Sequence, residues 1–290
     1  MGISNLFGHS SDYDQGLGKL RAGAATVVVA QDGTGDAAQI TDALNLLPPE
    51  GGAVYVKAGT YTITSTITLP NANILIQGDG KATKIITTSN IVMISISKAN
   101  AHIKDVWLYG AGAGNTTNDG ILITTGGSSS IIQGCRIENC GGEGIVIEIS
   151  SGYGDNAVMI ENNRLINNIA NGLKAGDGAS QNVEGVIIRG NYFEGNDRGI
   201  YGRWLLNASI IGNVFYNHLT TGTIFLTGDA LGGYSSRNTM VGNCFSTNVG
   251  NEIRIDNVSC LTNVAVANSD MNGTIAISDA GTGSVIANNI

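Results

Sequence analysis

Glu148, Lys174, Tyr201, Arg203, Phe225, Arg254 and Asp256 fall one or three residues after the residue that opens each of a series of short apolar runs. Carboxylates, cations and aromatic rings mixed in this way suit a ligand that offers hydroxyl edges to charge and apolar ring faces to aromatics. These seven are the candidate substrate-binding residues. Spacing alone names no catalytic residue. Glu148 and Asp256 stand four repeats apart, about 19 Å at strand spacing, beyond the ~5–10 Å that paired carboxyl groups need for glycoside hydrolysis. Other carboxylates that could form a pair lie in turns, at Asp155, Asp177, Glu184, Asp197 and Asp229.

The short runs belong to a repeat. Val106, Cys135, Asn163, Asn191, Asn213, Asn243, Asn268 and Asn288 align with successive gaps of 29, 28, 28, 22, 30, 25 and 20 residues, a loose period that signals a solenoid. Each period holds two runs such as "VIIRG" and "GIYGRW", whose length and β-branched content favour strands over helices. The second run is registered on inward residues Ile121, Ile145, Leu173, Ile200, Ile224, Ile253 and Ile275, which sends the candidate side chains outward. No leucine ladder is present, so each period reads as one coil of a parallel β-helix. Stacked coils lie about 4.8 Å apart, so the recurrent asparagine can donate its amide to the next coil while accepting the left-handed backbone of a sharp corner. Two places on, Phe193, Phe215 and Phe245, with Leu165 and Ile137 equivalent, point into the core.

The coils "RGNYFEGN" and "VGNCFSTN" resemble those of the right-handed parallel β-helix proteins of the pectate-lyase-like superfamily. So does the opening segment "VAQDGTGDAAQITDALNLLPPEGGAVYVKAGTYTITSTITL", residues 29–69. The resemblance implies an all-β chain: an N-terminal segment, 1–24, then one right-handed parallel β-helix domain, 25–290, with a short N-terminal capping α-helix at about 36–47. The residues agree, since Asp36 can cap a stripe of Ile40, Ala43, Leu44 and Leu47 that Pro48-Pro49 stops.

The same coil hosts lyases, hydrolases, epimerases, viral tailspikes and adhesins, so fold does not fix chemistry. "TNDGI" resembles a fragment of the polygalacturonase N-T-D-G segment, yet the Asp-Asp, Gly-His-Gly and Arg-Ile-Lys segments of that family are missing, and Asp119 reads as a corner former. Lys174 and Arg203 could serve a polyuronate lyase, but its acidic Ca²⁺ cluster is not evident. No cofactor or metal ligand set is therefore assigned, Ca²⁺ being the ion a lyase would bring.

A net charge of −8 and a sequence pI near 4.8 exclude a basic stripe for nucleic acid. No apolar run is long enough to span a bilayer, and the first residues carry no secretion signal. His9, His102 and His218 are scattered and read as surface residues, and Cys135, Cys140, Cys244 and Cys260 show neither zinc spacing nor a readable pairing. The expectation is a carbohydrate-directed β-helix protein of the tailspike or tail-fibre type, on a virion or an extracellular surface, that binds or depolymerises a polysaccharide or cell-surface glycan. Homotrimer formation would mark that reading. A free polysaccharide lyase or glycoside hydrolase is the alternative, and a non-catalytic structural shaft is the second. Whether the chain is an enzyme is left open at this point.

Overall fold

The computed structural model describes residues 26–149, 157–176, 182–228 and 234–290, with a strand pair at Tyr13–Asp14 and Lys19–Leu20. His9, Asp155, Asp177 and Asp229 lie outside the described residues. Short strands wind into three parallel sheets of eleven, nine and nine strands. One coil shows the pattern: Ile187–Arg189 in the first sheet, Tyr192–Glu194 in the second, Ile200–Arg203 in the third. Alternation along each strand buries one side chain and leaves its neighbour outside, as at Ile121–Thr124, Ile200–Arg203 and Ile224–Thr227.

The corner between the first and second sheets explains the recurrent Gly-Asn pair. The left-handed residue is the one before the ladder asparagine, Gly190 at φ +63°, Gly212 at +61° and Gly242 at +63°, positions that glycine takes without a Cβ clash. The expectation that the asparagine itself adopts this backbone is thus corrected: its side chain reaches into the corner of the next coil. Asn163 Nδ2 donates to Asn191 Oδ1 at 3.0 Å, Asn191 to Asn213 at 3.0 Å, Asn213 to Asn243 at 3.0 Å and Asn243 to Asn268 at 2.9 Å. Each backbone N–H joins the same acceptor. The last rung is Asn289, which accepts from Asn268 Nδ2 at 3.0 Å; Asn288, the residue aligned by sequence, takes the left-handed corner at φ +53°.

A second row of amides follows the second sheet, with Asn168 Nδ2 donating to Asn196 Oδ1 at 3.0 Å. His218 interrupts it. Its backbone N–H donates to Asn248 Oδ1, its Nδ1 faces the Asn196 carbonyl at 3.2 Å, and its ring packs against Phe215. The surface reading of His218 is therefore wrong: the ring fills a buried rung position, and burial pushes its pKa down to about 4, which keeps it neutral. Inside the coils Phe193, Phe215 and Phe245 stack at centroid spacings of 4.9 and 5.0 Å, following the rise from coil to coil. The four cysteines are free thiols.

The α-helix is shorter than expected, Ile40–Leu44, with Ile40, Ala43 and Leu44 buried. Asp36 does not cap it, because its carboxylate accepts from the Val28 N–H at 2.8 Å and ties the first strand to the following turn.

Asn213 makes the ladder testable. Asn213→Leu would strand the Asn191 amide donors and the Ile188 carbonyl, and each buried orphan costs about 1–3 kcal/mol. Urea unfolding should show a loss of about 2–5 kcal/mol, against less than about 0.5 kcal/mol for Ile211→Thr at an exposed site.

Candidate functional site

The third sheet carries the candidate side chains on its outer face. Cross-strand pairing sets Val146, Lys174, Tyr201, Phe225 and Arg254 in one row. Glu148 pairs with Thr124, and Arg203 with Thr227, in the row two residues on. Asp256 follows the strand of Arg254, which it pairs at 2.9 Å. The strand after that pairs Ile277 with Ile253; Ile275, two residues earlier, is buried as expected, and Ile277 is half-buried. From Glu148 to Arg254 the face spans four coil steps, about 20 Å.

The two ends of the face differ. Toward the C-terminus the rings of Tyr201 and Phe225 lie 5.6 Å apart, and the Arg198 and Arg254 guanidinium groups sit 5.0 and 5.1 Å from the Phe225 ring. This is an aromatic platform edged by positive charge. Toward the N-terminus Lys174 pairs with Glu148 at 3.5 Å, and two further carboxyl groups join them. Asp119 and Glu143 each stand two residues before the inward isoleucine of their strands, Ile121 and Ile145, on adjacent coils. The same offset yields Asn171 and Arg198 on the next two coils. Registering only the strand interior missed this row, because a residue at a corner obeys the turn and not the alternation; the shared offset was its legible signal.

Asp119 Oδ1 accepts the Glu143 N–H at 2.7 Å. Glu143 in turn accepts the Asn171 N–H at 2.6 Å and the Asn171 side-chain amide at 3.0 Å. Burial raises the Asp119 pKa above the ordinary carboxylate range; the Glu143 N–H and the Lys174 charge oppose the rise, and Glu148 adds to it. Burial likewise raises Glu143, against the bonds from Asn171 and the pull of Lys174. Both side chains keep some solvent exposure. Asn118, beside Asp119, is structural: its Oδ1 accepts from Ala111 and Gly141 and its Nδ2 donates to the Ile91 carbonyl. Gly142 leaves room for Asp119, since a Cβ there would stand 2.3 Å from Asp119 Oδ1. His102 stays half-buried on the first sheet, Glu184 accepts from Asn207, and Asp197 pairs with Arg198. Among the described residues no three His, Cys, Asp or Glu side chains gather to hold a metal ion, and no helix is long and apolar enough to cross a membrane.

Both carboxyl groups bind a proton more readily in the folded chain than in the unfolded one. Their contribution to stability is therefore full below the ordinary carboxylate range and is lost as pH rises through the raised values. Asp119→Asn should make the decline in melting temperature as pH rises above the ordinary carboxylate range shallower than in the parent. An unchanged slope would remove Asp119 from this electrostatic group.

Residues 26–140 match the family model described as Pectinesterase. Over 127 residues the chain is 30% identical to pectinesterase/pectinesterase inhibitor 18 of Arabidopsis thaliana, covering 39% of this chain and 23% of that protein. Over 126 residues it is 32% identical to pectinesterase 3 of Solanum lycopersicum, again 39% and 23%. The chain thus spans about a quarter of the length of these relatives. Among solved structures, a Geobacillus virus E2 chain, ORF18, superposes with TM-score 0.61 at 16% identity over 91% of this chain and 60% of that one. The pectin methylesterase from carrot superposes with TM-score 0.52 at 15% identity over 90% and 88%. Coil topology, the matched segment and these superpositions agree: the chain has the right-handed parallel β-helix fold of the pectate-lyase-like superfamily.

Proposed function

We propose that this protein acts on carbohydrate as a hydrolase-type enzyme that cleaves an ester carried by a polysaccharide, with the chain of sugars lying along the outer face of the third sheet. The observation that carries the reading is Asp119: a half-buried carboxyl with one oxygen fixed by the Glu143 N–H, beside Glu143 and within the field of Lys174. The matched pectinesterase segment includes Asp119 and ends three residues before Glu143, which favours ester chemistry over the lyase and glycoside hydrolase readings. A lyase would also draw on Lys174 as a free base, whereas Glu148 pairs with it.

Asp119 then works as the general base. Its second oxygen takes a proton from a water that attacks the ester carbonyl, and a base with a raised pKa is stronger at neutral pH. The Lys174 ammonium group faces the negative charge that develops on the carbonyl oxygen. Collapse expels the alcohol, which takes the proton back from Asp119 and leaves a free carboxyl group. Glu143, anchored by Asn171, positions Asp119. The Tyr201 and Phe225 rings, with Arg198, Arg203, Arg254 and Asp256, hold sugar units further along the face.

Release of methanol from methyl-esterified polygalacturonate and of acetate from acetylated xylan measures the activity. Asp119→Asn should lower kcat by about 10²–10⁴-fold, while Tyr201→Ala should chiefly raise KM. New reducing ends would favour a glycoside hydrolase instead, and absorbance from an unsaturated product a lyase. Absence of both turnover and glycan binding would leave the shaft.

A further inference from the structure

The second sheet has an outer face of its own, on a different side of the coils from the candidate site. Cross-strand pairing places Lys84, Trp107, Arg136, Arg164 and Tyr192 in one row over five consecutive coils, about 19 Å long. The Lys84 ammonium group lies 4.0 Å from the Trp107 ring and 4.2 Å from the Tyr109 ring. Arg136 lies 5.3 Å from the Trp107 ring, and Arg164 lies 4.7 Å from the Tyr192 ring. The carboxylates of this face stand in the neighbouring row, at Glu138 and Glu194. Glu138 is taken up by Arg136 at 2.7 Å and by Trp107 Nε1 at 3.1 Å.

A row that served stability alone would alternate in sign, because like charges directly opposite each other destabilise a sheet. Here Arg136 and Arg164 are direct cross-strand partners, and among the described residues no carboxylate lies within ion-pair distance of Lys84 or Arg164. Three cations concentrated in one row of a chain whose net charge is −8 complement a linear polyanion. The rings among them offer stacking surfaces for sugar faces, and guanidinium groups match carboxylate and sulfate oxygens in pairs. We infer that this row is a second carbohydrate site, one that holds an anionic polysaccharide lengthwise along the second sheet. The inference stands apart from the ester hydrolase reading, since the residues belong to another sheet and the ligand is held without reaction.

Calorimetric titration of the whole chain with polygalacturonate, dextran sulfate and neutral dextran tests it. Binding to the charged polymers, weakening with salt, and not to neutral dextran supports the site; binding to only one of the two identifies the anion as carboxylate or sulfate. Lys84→Gln with Arg164→Gln should weaken that binding about tenfold or more at an unchanged melting temperature. Tyr201→Ala with Arg254→Gln on the third sheet should leave dextran sulfate binding within about twofold, polygalacturonate being a polymer that the third-sheet face also takes under the proposed function. Should the Lys84 change lower the melting temperature, Arg164→Gln alone carries the test, because Arg164 is exposed. The inference is overturned if neither polyanion binds, or if the second-sheet variant keeps its binding of both polymers.

Discussion

The buried asparagine ladder is the constraint on which the rest of the molecule depends. Each ladder amide accepts two donors from the coil before it and donates both to a carbonyl of that coil and to the amide after it. All of these groups lie away from water, where a missing partner is costly. The bonds repeat at 2.9–3.0 Å from Asn163 to Asn289, so the coils over that stretch are held in the same register as their neighbours. Ring stacking of Phe193, Phe215 and Phe245 repeats that spacing inside the core.

Register held this firmly turns outer side chains into straight rows. Lys174, Tyr201, Phe225 and Arg254 line up because their strands pair residue for residue, and Lys84 through Tyr192 do so on the second sheet for the same reason. Corners add a different class of group. Asp119 and Glu143 are bonded to backbone N–H groups of the following coil, which fixes their orientation more closely than a strand side chain is fixed. Close approach of backbone makes that possible, and Gly142 is where it shows, through the room it leaves for the Asp119 carboxylate.

Much of this was legible in the sequence, for identifiable reasons. Coils were readable because the Gly-Asn pair and the ring two places later recur whatever the length between them. The outer row from Glu148 to Asp256 was readable because strand alternation is a period of two. What escaped had no period. Asp119 stands in "TNDGI" as a corner residue, and nothing in one sequence tells that Glu143 on the next coil presents its N–H to it. His218 looked like a surface residue because histidine in an asparagine position carries no hydrophobic signal. The shorter helix followed from Asp36 bonding backward to Val28 instead of forward, a choice between two donors that spacing does not distinguish. The last rung moved from Asn288 to Asn289 because two adjacent asparagines fit one alignment equally.

Ladder partners are separated by 28 residues from Asn163 to Asn191, by 22 from Asn191 to Asn213 and by 30 from Asn213 to Asn243, with bonds of the same length throughout. Contour length per turn is therefore decoupled from axial advance. Peripheral excursions can be spliced in or trimmed without shifting the vertical position of anything above or below them, so the lateral walls act as a fixed ruler while the rims are free to diversify.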